Sequence, residues 1–182
     1  YHIYKEPQKL CIKGNVVIII AGKRVDISGF TEGIEIIASE LPHIQAIEIY
    51  ASKFLTVENR TSYLRYKDND TVVLYLGGYA NRYQREFIKL IYDTNQDIKY
   101  MHFGDIDAGG FWIHHNLCEI TGIDFSLFCM STNELKNKAY ESCLHRLTDN
   151  DVIRLKELNN ITTYADTIAY MLEHNVKLEQ EI

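Results

Sequence analysis

A chain of 182 residues that is 46% hydrophobic and 24% charged has ordinary globular composition and enough length for one main core. With 2 prolines, 10 glycines and no Ser-rich or charge-block tract, a long disordered linker and low complexity are excluded. The net charge of −6 excludes a protein that coats nucleic acid indiscriminately, because that affinity comes from neutralising many phosphates, though a local basic stripe remains compatible with it.

Cys11, Cys118, Cys129 and Cys143 are widely spaced, with no pair at zinc-ligand spacing. A reduced, cytoplasmic protein is expected. The longest apolar stretch, residues 16–21, is far shorter than a bilayer span, and the N-terminus lacks a basic-then-apolar signal pattern, so membrane and secreted classes fall away. Because the chain begins at Tyr1 rather than a methionine, it is expected to be a piece of a longer protein with something upstream.

In chain order, residues 9–27 predict two or three short strands punctuated by Gly14-Asn15 and Gly22-Lys23. The type of residues 29–49 is open. The pattern is then strand at 54–58, helix at 60–67, strand at 71–76, helix at 83–92, strand at 98–105, helix at 109–120 and a further strand at 126–130. Strands alternating with helices at this spacing predict an α/β fold with a mostly parallel sheet flanked by helices. Beyond Ser131, which forms a capping-box pattern with Glu134, residues 148–159 and 164–175 have helical apolar spacing and are expected beside one edge of the sheet. We therefore divide the chain into a β-rich N-terminal arm (1–50), a core (51–131) and a C-terminal helical extension of the same domain (132–182).

Ligands of parallel α/β sheets bind outside the carboxyl ends of the strands. Two such ends are acidic: Glu58 closes one strand, and Asp105 and Asp107 close another. Residues two apart in an extended chain point the same way, so the aspartates face together, and adjacent strands would bring all three carboxylates into one pocket. Clustered carboxylates ionise together only beside a hard cation, for which Mg²⁺ is the natural occupant. A helix opening at Gly109-Gly110 would aim backbone N–H groups at the same region, and glycine there would let a phosphate approach. An Asp-x-Asp before Gly-Gly is equally an ordinary turn with a helix cap.

The segments Thr56-Val57-Glu58-Asn59-Arg60-Thr61-Ser62-Tyr63, Gly77-Gly78-Tyr79 and His102-Phe103-Gly104-Asp105-Ile106-Asp107-Ala108-Gly109-Gly110 resemble the C-terminal Toprim region of the JetD family, the nuclease subunits of Wadjet anti-plasmid systems, related to the topoisomerase VI A subunit. Leu178-Glu179-Gln180-Glu181 is also similar to that family's closing segment. The resemblance implies a Toprim fold, Mg²⁺ or Mn²⁺ dependence, cleavage of double-stranded DNA, a homodimer, and work beside an SMC-type, condensin-like complex. It implies Glu58, Asp105 and Asp107 as the catalytic and metal-binding carboxylates. The third acidic position of the broader Toprim pattern is Gly109 here, which leaves one or two metals open, and Glu181 is a candidate extra ligand beside the plain reading of a solvated side chain. Water is the favoured nucleophile, activated by metal or by Glu58 as general base. A non-cleaving binding module and a transesterase of the topoisomerase VI type are the alternatives.

Arg82, Arg85 and Lys89 share one helix face and are candidates to track a DNA backbone, although a solvated face explains them as simply. Arg60 and Arg65 lie nearer the acidic positions and are the better candidates for phosphate contact. Asn59 would orient Glu58 or cap the following helix. His102 is expected as a hydrogen-bonded core residue, His114 and His115 on the surface, and Phe111 and Trp112 between helix and sheet.

Overall fold

A computed structural model of the protein describes residues 6–180. The strand-forming runs at the start of the chain become β1 (Lys9–Lys13), β2 (Val16–Ile20) and β3 (Lys23–Asp26). The segment of open type supplies β4 (Ile34–Ile37), a 3-10 turn and β5 (Ile44–Ile49). Then follow β6 (Lys53–Val57), α1 (Arg60–Arg65), β7 (Thr71–Tyr75), α2 (Arg82–Thr94), β8 (Lys99–Phe103), α3 (Ala108–Thr121) and the short β9 (Ser126–Leu127). The chain continues through α4 (Thr132–Leu135), a second 3-10 turn, β10 (Leu144–His145), α5 (Asp149–Leu158), α6 (Thr162–His174) and β11 (Lys177–Leu178).

The main sheet has the order β4-β1-β7-β6-β8-β9. Four consecutive strands, β7, β6, β8 and the edge strand β9, are parallel, as expected for strands joined by helical crossovers, while β1 and β4 extend the sheet on the other side in antiparallel pairing. The β-rich N-terminal region is thus shared between two sheets, because β2, β3 and β5 form a separate antiparallel sheet. Buried Val16 and Ile18 of β2 and Ile44 and Ile47 of β5 join Phe87, Ile88 and Ile91 of α2 and Val72 and Leu74 of β7 in one core. On the opposite face, Leu55, Val57, Val73 and Met101 pack with Tyr63 of α1, so helices cover both faces.

Polar side chains set the helix starts. Asn81 and Gln84 make a reciprocal capping box for α2, Thr148 and Asp151 do the same for α5, and the predicted Ser131–Glu134 box starts α4. Each such cap contributes about 1 kcal/mol. The C-terminal helices pack beside the β9 edge, principally on α3. Leu155 and Leu158 of α5 and Ile168 and Met171 of α6 enclose Phe111, with Leu127 and Met130 at the margin. This corrects the expected placement of Phe111 and Trp112 between helix and sheet. The Phe111 ring lies tilted at 44° to Tyr164 with centroids 5.3 Å apart, and Trp112 Nε1 donates to the Arg154 carbonyl, because the apolar faces of α5 and α6 cover this side of α3.

His114 is also corrected: it is buried, not on the surface. Its Nε2 faces the Phe125 carbonyl, which only accepts, so Nε2 carries the proton and Nδ1 accepts from the Tyr164 hydroxyl at 2.6 Å. His115 is partly exposed and lies 3.6 Å from Glu119. The 4 cysteines are free thiols. Among the described residues, no helix is long and apolar enough to cross a membrane.

Candidate metal centre

The acidic positions sit where strand order brings two loops together. Strands β6 and β8 are parallel neighbours with Val57 opposite Phe103, so Glu58 and the residues after Phe103 leave the sheet at the same level. The Glu58 N–H donates to the Phe103 carbonyl, and its own carbonyl accepts from Gly77, tying the ends of β6, β7 and β8 together. The Asp105 N–H points at Glu58 Oε2 across 3.4 Å.

The electrostatics follow from that proximity. Burial is the largest influence on the Glu58 carboxyl, the negative charge of Asp105 comes next and that of Asp107 adds to both, so its pKa is pushed up from 4.5 to about 7. Asp107 behaves differently from the expectation of two matching aspartates. It is the N-cap of α3, and its Oδ1 accepts from the Gly110 N–H at 2.7 Å. The Gly110 N–H is thus already used by the protein, and the reason for a glycine there is local: a Cβ would lie 2.1 Å from the Asp105 carbonyl oxygen. A Cβ on Gly109 would approach Asp107 Oδ1 at 3.1 Å.

Among the described residues, no three His, Cys, Asp or Glu side chains converge closely enough to hold an ion as they stand. Glu58 and Asp105 nonetheless form a hard-oxygen pair, and Mg²⁺ is commonly held by one or two carboxylates with water and substrate phosphate completing the shell. Glu58 and Asp105 are the residues that could hold Mg²⁺ or Mn²⁺. Glu181 lies outside the described residues.

Two neighbours of the pair, Gly104 and Gln180, were not singled out by sequence reasoning. Gly104 packs so tightly that a Cβ would come 2.5 Å from Glu58 Oε2 and 3.0 Å from His102 Nε2, and its N–H donates to Met130 Sδ. Gln180 reaches in from beyond β11, its N–H donating to Asp105 Oδ1 at 2.6 Å. Gln180 belongs to the closing segment Leu178-Glu179-Gln180-Glu181 on which the resemblance also rests. His102 is buried as expected, yet only half satisfied. Its Nδ1 lies 3.0 Å from Thr56 Oγ1, whose hydroxyl donates to the Met101 carbonyl, while Nε2 has no partner among the described residues.

The basic candidates are dispersed. Arg60, at the start of α1, pairs with Glu35 at 3.6 Å and lies over the Tyr75 ring. It borders an open groove of about 420 Å³ shared with Lys9, Gly77 and Asn81. Arg65 is exposed in the last turn of α1, Arg82 is paired with Glu86 at 2.8 Å, and Arg85 is half-buried. Asn59 caps α1 by accepting from the Thr61 N–H.

A mixed α/β domain with a mostly parallel central sheet, helices on both faces and carboxylates at the ends of two adjacent central strands is consistent with a Toprim-like fold. The chain belongs to the family described as Wadjet protein JetD, C-terminal, whose model matches residues 11–182. It is similar to the Wadjet protein JetD of Bacillus cereus (strain Q1), with 23% identity over 186 residues. That match covers 99% of this chain and 45% of the relative, so the chain spans less than half of the protein it resembles.

Proposed function

We propose that this domain is the metal-binding catalytic part of an endonuclease that hydrolyses phosphodiester bonds in double-stranded DNA. The observation that carries this reading is the placement of Glu58 and Asp105 at the carboxyl ends of adjacent parallel strands, with the Asp105 N–H 3.4 Å from Glu58 Oε2. Glu58 and Asp105, with Asp107, would hold Mg²⁺ or Mn²⁺, which when bound offsets phosphate charge and lowers the pKa of water. Glu58 takes the proton of the attacking water where it is not itself a ligand. Asp107 keeps α3 started beside Asp105. Arg60 and Arg65, and more distantly Arg82 and Arg85, would contact the DNA backbone, giving affinity without sequence preference.

Family membership supports a place in a Wadjet system, and with it a homodimer acting on plasmid DNA beside SMC-type, condensin-like subunits in the cytoplasm. The domain division into 1–50, 51–131 and 132–182 remains part of the same reading. The test is divalent-metal binding by calorimetry together with nicking of a supercoiled plasmid by the full-length protein. Native protein is expected to bind and nick, and Asp105→Ala to do neither. Nicking that survives Asp105→Ala would overturn the proposal.

A second reading, a non-cleaving module that docks DNA or a partner, is favoured by Asp107, whose carboxylate is engaged as a helix cap. It predicts DNA retention without any metal-dependent nicking. A stable protein–DNA adduct would instead indicate transesterase chemistry.

A further inference from the structure

We infer that Gln180 is a positioning residue of the metal centre, holding the Gly104–Asp105 peptide and the Asp105 carboxylate in the orientation that metal binding requires. This rests on the proposal that Glu58 and Asp105 are metal ligands. The chain is brought there by a defined path. Asn175, with φ +55, turns it back after α6, and β11 pairs with β10 while Leu178 bridges Ile106, between the two aspartates. Lys177 anchors the approach through an ion pair with Asp151 at 3.2 Å, both side chains largely shielded from water.

Gln180 is 3% exposed and touches all three connections that leave the carboxyl ends of β6, β8 and β9. Its N–H donates to Asp105 Oδ1 at 2.6 Å, and its carbonyl accepts from Ser62 Oγ of α1, also at 2.6 Å. Its Nε2 donates to the Gly104 carbonyl at 3.0 Å and to the Cys129 carbonyl at 2.7 Å. The Gly104–Asp105 peptide therefore has Gln180 on its C=O side and Glu58 Oε2 on its N–H side. Such a series polarises each member and fixes the plane of the peptide between them.

The side chain and the main chain of Gln180 act on the same stretch. Together they hold the carbonyl immediately before Asp105, one oxygen of Asp105 itself, and the helix that follows Glu58. Outer partners of this kind fix the orientation and basicity of metal ligands, and their loss typically lowers metal affinity about 10- to 100-fold. The device is long-range: 75 residues separate Asp105 from Gln180, and 118 separate Ser62 from it.

The test uses the full-length protein, native and carrying Gln180→Met, which keeps the length of the side chain, removes the two Nε2 hydrogen bonds to the Gly104 and Cys129 carbonyls and leaves the backbone N–H to Asp105 in place. Mn²⁺ and Mg²⁺ affinities are measured by calorimetry below the melting transition, and plasmid nicking is followed against metal concentration. The expected result is affinity weakened about tenfold or more, with the nicking rate restored at saturating Mn²⁺. A structural role alone would depress the saturated rate as well. Equal affinity in native protein and a folded Gln180→Met variant overturns the inference and leaves the metal centre standing. No metal binding by native protein, with or without DNA, overturns both. If Gln180→Met fails to fold, Ser62→Ala, which removes the strut to the Gln180 carbonyl, decides by the same comparison.

Discussion

Gly104 has no room for a side chain because the Glu58 carboxylate lies against it: a Cβ would sit 2.5 Å from Glu58 Oε2, with His102 Nε2 behind at 3.0 Å. Neither neighbour is the loose end of an exposed chain, so Gly104→Ala must displace Glu58 or the strand end. The expected cost is about 1–3 kcal/mol, the range for overpacking a filled interior, with a parallel loss of divalent-ion affinity. Denaturant unfolding and calorimetry on the same variant check it. Native-like values for both would mean that Glu58 is free to turn away.

Glu58 also sets a pH dependence for metal binding. Between its ordinary value of 4.5 and about 7, the metal-free folded protein holds a proton that the unfolded chain has already released. Metal-free stability is therefore expected to fall as pH rises through that window, while Mg²⁺ binding, which displaces the proton, tightens over the same range. Calorimetry in buffers of different ionisation enthalpy should record proton release near pH 6 and little above pH 8. Release that persists in Glu58→Gln would assign the proton elsewhere.

The buried histidines give a slope of opposite sign. Burial, reinforced by His114, pushes His102 down from 6.5 to about 3, and burial lowers His114 as well. As pH falls below 6.5 the unfolded chain takes up protons that the folded protein excludes, so stability drops progressively towards pH 3. In native protein this is partly masked by Glu58. The Glu58→Gln variant is expected to show the bare acid limb in pH-resolved denaturant melts, and a flat profile in that variant would contradict the neutral assignment of both rings.

Asp107 can be separated into cap and ligand. Ser at an N-cap accepts the same backbone N–H, so Asp107→Ser should leave stability within about 0.5 kcal/mol of native, whereas Asp107→Ala should cost about 1 kcal/mol. The metal-ligand role predicts that both lose nicking by about 100-fold or more, by analogy with deletion of other single electrostatic groups in active sites. A Ser variant that nicks like native protein would reduce Asp107 to the cap of α3.

The alternation of strand and helix from β6 onward was legible from sequence because each element carries its own periodicity, and the Ser131–Glu134 box marked one helix start, while the boxes at Asn81 and Thr148 emerged from the structure. Glu58, Asp105 and Asp107 were read together as candidates for the same reason, since strand ends can be located locally and adjacent parallel strands end together. Sequence did not separate β1 and β4, which join the main sheet, from β2, β3 and β5, which form another, because all are short apolar runs whose partners are chosen by which sheet edge is open. Nor did it separate buried His114 from partly exposed His115, a matter of which side of α3 the C-terminal helices cover.

The sequence by itself determined the local elements, the acidic strand ends and the family pattern, all of which depend on neighbouring residues. Tertiary structure alone decided that Gly104 lies pressed against Glu58 and that Gln180 crosses from the far end of the chain to Asp105. Those outcomes depend on which buried donor finds which acceptor once the layers have packed, and hydrogen bonds spanning such separations leave no periodic trace along the chain.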